Sequence, residues 1–130
     1  MKVLNIILKI ALGLLLLSPI LGALGVFPPP TPDMYNTEAA YDFIAMLMAT
    51  KYIMYLMAVV FAAAVVLIAM NRMALAALLI LPITVNIVCF HLFLDGGLLN
   101  MGALMADILL ALNVYFLWQN RKRYQSLGEK

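Results

Sequence analysis

Two polar side chains in this 130-residue sequence fall inside long apolar stretches, where they could carry chemistry. Asp107 is the one carboxylate well inside such a stretch, and Asn86 lies in the preceding stretch. Counted from the turn between them, Asp107 lies about 14 Å deep and Asn86 about 12 Å, at ~1.5 Å per helical residue. If the stretches cross a bilayer, an ionised carboxylate there costs at least ~2.5 kcal/mol. The spacing predicts a proton-handling or ligand-orienting pair, or an ordinary interhelical hydrogen bond worth ~0.6 kcal/mol, which is the preferred interpretation.

His91 lies one helical turn before Asp95, near the end of the third apolar stretch. It could exchange a proton near neutral pH, hydrogen-bond a quinone head group or a partner's loop, or simply cap the mouth of its helix. There is no second histidine and no cysteine pair, so neither a metal site nor bis-histidine haem ligation is expected. Cys89 is the single cysteine and is expected to be inert in apolar surroundings.

No motif of a soluble enzyme occurs in the sequence. There is no glycine-rich phosphate loop, no Ser-His-Asp set and no CxxC. We therefore expect no catalytic residues, no covalently bound cofactor and no nucleic-acid partner, and an isolated chain without catalytic activity is the favoured interpretation.

The composition indicates where such a chain resides. Hydrophobic residues make up 67% of the sequence and charged residues 11%, whereas soluble domains carry about 25% charged residues. Four stretches, at about 4–27, 52–70, 74–94 and 98–118, approach or exceed the ~20 apolar residues of a spanning helix. The sequence thus predicts a single all-α domain, an integral membrane four-helix bundle.

Two of the three connections are predicted to be tight turns. Asn71-Arg72 separates the second and third stretches, and Asp95-Gly96-Gly97 separates the third and fourth. Glycine supplies the positive φ that ends a helix abruptly. Connections this short predict antiparallel neighbours.

The first connection, residues 28–51, predicts a short amphipathic helix. It opens with a proline-rich run that cannot continue a helix. Asn36 or Thr37 is the expected N-cap, with Glu38 in the first turn. Apolar residues then recur at helical spacing, at positions 40, 43, 44, 47 and 48. We expect this helix to lie on the outer membrane surface over the mouth of the bundle.

Basic residues set the predicted orientation. In a four-span topology they gather on one side, against an acidic opposite side on which Lys51 is the only cation. Basic residues favour the cytoplasmic side, so both termini are predicted to be cytoplasmic in an inner or plasma membrane. The expected interface anchors are Lys9, Trp118, Arg121, Lys122 and Arg123.

The first apolar stretch also resembles a cleavable signal peptide, because Lys2 precedes it and Ala23-Leu24-Gly25 follows it. Its length is sufficient to span a bilayer. Retention as the first helix of the bundle is the preferred interpretation.

Residues 81–95, with the sequence LPITVNIVCFHLFLD, resemble the third span of small DoxX-like membrane proteins. In that family an Asn, a Phe-His pair and an acidic turn recur in this order. The layout around it is also similar, with Lys9 ahead of a Gly- and Leu-rich first helix and a Tyr- and Arg-containing tail over 115–124. The family often carries an acidic residue early in the second span, where this chain reads Val59-Val60-Phe61-Ala62.

The resemblance implies an accessory or non-catalytic membrane subunit of an oxidoreductase complex. DoxX-like proteins include a membrane subunit of thiosulfate:quinone oxidoreductase, so quinone is the implied ligand and a redox protein the implied partner. Asn86, His91 and Asp107 form the polar set that remains for such a role. The open alternatives are a small proton-coupled transporter and a structural or lipid-binding bundle without chemistry; the sequence leaves a homo-oligomer open as well.

Overall fold

The computed structural model describes residues 1–128, and within that range all regular structure is helical. This confirms the all-α prediction. A short 3₁₀ turn, Pro32–Met34, lies between the first two helices. The helices are α1 (Lys2–Ala23), α2 (Glu38–Thr50), α3 (Tyr52–Ala69), α4 (Met73–Phe93), α5 (Leu104–Gln119) and α6 (Arg121–Gly128).

Three of the helices, α1, α3 and α4, are long and apolar enough to cross a membrane. Helix α5 is apolar as well but has only 16 residues. The outward surface is apolar too: Ile6, Ile10 and Leu14 of α1 are each more than half exposed. A helix that is apolar on all faces suits lipid rather than water. The helices therefore support the prediction of a membrane protein.

The four apolar helices share one hydrophobic core. Helix α1 contacts α3 and α5, α3 contacts α4, and α4 contacts α5. Each contributes side chains that are fully buried: Leu12 and Leu16 from α1, Phe61 from α3, Ile80 from α4 and Phe116 from α5. Small residues between them let the helix backbones approach closely.

Helices α1 and α3 end at residues with positive φ. Gly25 follows α1 with φ of 75°, so α1 stops at Ala23, four residues before the predicted boundary. Asn71 follows α3 with φ of 58°, and the next backbone N–H, that of Arg72, donates to the Leu67 carbonyl over 2.8 Å. Asn tolerates this conformation better than most residues. The predicted Asn71-Arg72 turn is confirmed.

The connection between α4 and α5 differs from the prediction. A tight Asp95-Gly96-Gly97 turn followed by a helix from residue 98 was expected, but α5 begins at Leu104. Gly96 and Gly97 both have positive φ. The side-chain amide of Asn100 then forms hydrogen bonds with backbone groups that a helix would otherwise use. It donates to the Gly97 carbonyl and accepts from the Ala103 N–H. Asp107 consequently lies in the first turn of α5 rather than near its middle.

The amphipathic helix of the first connection is confirmed as α2. Thr37 is its N-cap, with the hydroxyl accepting from the Ala40 N–H over 3.1 Å, and Glu38 lies in its first turn. Ala40 is fully buried, and α2 packs against α3. Lys51, with φ of 62°, separates the two helices.

We expect Phe61→Ala to lower the free energy of unfolding by about 2 kcal/mol. That is less than the ~3–5 kcal/mol typical of aqueous cores, because separated helices in a membrane return the ring to an apolar solvent. Phe93→Ala is the matched control, because Phe93 is 75% exposed. Denaturation by SDS in mixed micelles measures both. Equal losses from the two variants would contradict the shared core.

Candidate functional site

Several polar residues meet where the C-terminal end of α4 approaches the start of α2. We call them the Asp95 cluster: Asn36, Thr37, His91, Asp95 and Asn100. Asp95 is 1% exposed, although the surrounding residues belong to loops and helix ends. A carboxylate that buried requires hydrogen-bond donors close by.

The Asp95 carboxylate receives one donor on each oxygen. His91 Nδ1 lies 2.9 Å from Asp95 Oδ2, which α-helical i,i+4 spacing makes possible. The backbone N–H of Asn36 donates to Oδ1 over 2.8 Å. Because an ionised carboxylate only accepts hydrogen bonds, a neutral His91 imidazole must carry its proton on Nδ1. A protonated His91 would form an ion pair with Asp95.

Side chains of the cluster also satisfy carbonyls at the end of α4. The last carbonyls of a helix lack intrahelical partners. The Asp95 carbonyl accepts from the Asn36 amide over 3.1 Å and from the Asn100 amide over 3.2 Å. The Thr37 hydroxyl donates to the Leu94 carbonyl. Residues 36 and 37 therefore serve two elements at once, by starting α2 and ending α4.

Two glycines permit this close approach. A Cβ added to Gly96 would lie 3.3 Å from Cβ of Asn36, and the φ of Gly96 is +83°. A Cβ added to Gly102 would lie 3.2 Å from Oδ1 of Asn100 and 3.4 Å from Oδ2 of Asp95. Side chains at these positions would crowd the cluster.

Aromatic rings lie beside the Asp95 cluster. Tyr35 meets Phe90 edge-on at 6.3 Å between ring centroids, and Phe43 of α2 lies 5.7 Å from the same ring. Burial raises the pKa of the Tyr35 phenol above its usual value, and the negative charge of Asp95 raises it further. The phenol therefore stays neutral at physiological pH.

The predicted Asn86–Asp107 pair is not joined by a hydrogen bond anywhere in the described chain. Asn86 is exposed on α4, and Asp107 is half-buried at the start of α5. The buried amide is that of Asn113, whose Nδ2 donates to the Ala77 carbonyl of α4 over 2.8 Å. Its position, four residues after Leu109 and three before Phe116, is the sequence signal that places it on the core face of α5.

The sequence interpretation included His91 but missed Asn36, Asp95 and Asn100 as its companions. The i,i+4 spacing of His91 and Asp95 was a usable signal. The hydrogen bond between Asp95 and Asn36 joins residues 59 positions apart in sequence, so no local sequence pattern indicates it.

The expected interface residues lie at the opposite end of the helices. Lys9 Nζ donates to Asn71 Oδ1 over 3.3 Å, at the turn between α3 and α4. The Arg121 guanidinium lies 4.5 Å above the ring of Trp118, which is 69% exposed. Lys122 and Arg123 are exposed on α6.

The chemistry open to the Asp95 cluster is hydrogen bonding and proton exchange between His91 and Asp95. Residues 1–128 contain no group of three or more His, Cys, Asp or Glu side chains placed to hold a metal ion. Comparison of the chain with protein-family models, curated proteins and solved structures found no match.

We expect Asp95→Asn to lower the free energy of unfolding by about 1–3 kcal/mol, because buried donors lose a charged acceptor. Hydrogen exchange at the Asn36 amide should accelerate in the same variant. Asp107→Asn is the matched control and should change stability by about 0.5 kcal/mol or less. A larger loss from Asp107→Asn would contradict the importance of the Asp95 cluster and restore the Asn86–Asp107 pair.

Proposed function

We propose that this chain is a DoxX-like integral membrane protein that serves as an accessory, non-catalytic subunit of a quinone-linked oxidoreductase complex. The observation that supports this proposal is that Asn113 and Asp95, two buried polar residues, form hydrogen bonds that connect parts of the fold. Asn113 ties α5 to α4, and Asp95 ties the first connection to the end of α4. Polar groups engaged in this way build a scaffold rather than a reaction centre.

In this proposal α1, α3, α4 and α5 form a membrane-spanning four-helix bundle. Helix α5 is about 24 Å long at ~1.5 Å per residue, somewhat short of the ~30 Å hydrocarbon core. Residues 98–103 before it complete the crossing, and the basic helix α6 after it lies at the membrane interface. The contacts of α1 with both α3 and α5 support a closed arrangement of the four helices.

In this proposal the protein lies in the inner or plasma membrane, and both termini face the cytoplasm. Lys9 contacts the α3–α4 turn, and Tyr124 of α6 donates to the Ala74 carbonyl at the start of α4. The basic residues Arg72 and Arg121 therefore share one end, while Asp95 lies at the other. Such a separation favours the basic end as cytoplasmic.

Proton-coupled transport is supported less well by the geometry. A transporter of this size needs an ionisable side chain facing a cavity inside the bundle. Asp107 is only half-buried at a helix end, and the groove between α1 and α3 opens on the outside of the helices. A structural bundle without redox partner is the second candidate, because Asn113 and Asp95 both act in packing.

Topology is tested by single cysteines at Asp33 and Ser126 in a Cys89→Ser background. Both positions are exposed, one in the first connection and one in α6. We expect a membrane-impermeant maleimide to label position 33 from outside intact cells and position 126 only after permeabilisation. Labelling of both positions from the same side would contradict the four-span bundle.

The subunit proposal is tested by isolating the tagged chain in polymer-bounded native nanodiscs. We expect solvent extraction to release one quinone per chain. We also expect a flavin- or thiol-dependent oxidoreductase to co-purify with the tagged chain. When the tag is placed on that oxidoreductase, this chain should co-purify with it. The proposal assigns to His91 the hydrogen bond to the quinone head group, so His91→Leu should lower the quinone content. Asn86→Leu, an exposed amide on the same helix, is the matched control.

A folded chain that contains neither quinone nor a redox partner would contradict the subunit proposal and identify the structural bundle. Equal quinone content in the His91 and Asn86 variants would remove His91 from the proposed contact. Circular dichroism and size-exclusion elution confirm that each variant is folded.

A further inference from the structure

A groove of about 380 Å³ runs between α1 and α3 on the outer surface of the helices. Its volume falls within the ~300–1,000 Å³ range of small-ligand sites. Nearly all of its lining is apolar, and the polar exceptions, Lys9 and Asn71, lie together at one end. The groove thus has a charged head and an apolar tail.

The charged head has unused hydrogen-bonding capacity. The Lys9 ammonium carries three donors, and one of them reaches Asn71 Oδ1 over 3.3 Å. No carboxylate of residues 1–128 lies within 4.0 Å of this ammonium. The positive charge is therefore available to an anion that enters from the membrane interface.

The apolar tail matches one leaflet in length. Along α1 the groove is lined from Ile6 to Leu17, and its part from Lys9 past Gly13 to Leu17 is about 12 Å long at ~1.5 Å per residue. One leaflet contributes about 15 Å of hydrocarbon, half of the ~30 Å core. Val65 and Ile68 of α3 form the opposite wall.

Gly13 keeps the groove open. A Cβ built on Gly13 would have no atom within 4 Å, so the space above it is free. A leucine side chain at this position would extend into the groove. This gives a way to block the apolar tail while leaving Lys9 intact.

We propose that the groove binds one anionic phospholipid from the leaflet at the basic end of the helices. The lipid phosphate contacts the Lys9 ammonium, and one acyl chain lies over Gly13 between α1 and α3. Charge complementarity selects an anionic lipid, because the unneutralised cation stands where head groups lie. The proposal requires only that α1 and α3 cross the membrane and is independent of a redox partner.

The test uses the full chain in nanodiscs of equal parts phosphatidylglycerol and phosphatidylcholine, followed by release into mild detergent and native mass spectrometry. We expect one retained phosphatidylglycerol per chain. Lys9→Gln should weaken its retention about fivefold, the effect expected from one basic residue at the interface. Gly13→Leu should abolish retention, while Lys51→Gln, which removes an equal charge from the exposed residue between α2 and α3, should leave it unchanged.

Equal retention of the two lipids, or an equal loss from Lys51→Gln, would overturn the proposal. So would displacement of the lipid by inorganic phosphate, which would make the free anion the ligand. Circular dichroism and elution volume establish folding, and the Lys9 and Gly13 variants test the head and the tail separately. If only one of them folds, unchanged retention in that variant is sufficient to overturn the proposal.

Discussion

The buried carboxylate of Asp95 holds together the end of the molecule at which α4 ends and α2 begins. It accepts from His91 on its own helix and from the Asn36 backbone, so two segments far apart in sequence meet at one side chain. Burying a charge is costly unless donors surround it, and these donors exist only when both segments are in place. The position of α2, which starts at Thr37, follows from this contact.

The same constraint operates along the whole helix assembly. Lipid cannot replace water as a hydrogen-bond partner, so polar groups must find partners within the protein. At the basic end these partners are Lys9 with Asn71 and Tyr124 with the Ala74 carbonyl. Midway along the helices Asn113 donates to the Ala77 carbonyl. Polar contacts thus connect the helices at both ends and between them.

The sequence predicted what depends on local chemistry. The long apolar stretches predicted α1, α3 and α4, Asn36 or Thr37 was expected as the N-cap of α2, which is Thr37, and Asn71 was expected in a turn. The predicted start of α5 was wrong by six residues, because Leu98, Leu99 and Met101 continue the apolar pattern while hydrogen bonds from the Asn100 side chain to nearby backbone groups hold the chain in turns. Because α5 starts later than predicted, Asp107 lies at a helix end rather than near the middle of the helix. The depth estimate that suggested its pairing with Asn86 therefore does not apply.

Asn113 shows why a polar residue is useful where hydrophobic packing dominates. Leucine and phenylalanine side chains gain little by leaving lipid for another helix, so apolar burial alone distinguishes poorly between alternative registers of α4 and α5. The Asn113 amide has one specific acceptor, and its own Oδ1 is left without a partner in the described chain. An amide with an unpaired oxygen contributes less stability than a fully bonded one. Its effect is therefore to favour the one register of α4 and α5 in which the amide of Asn113 meets the Ala77 carbonyl.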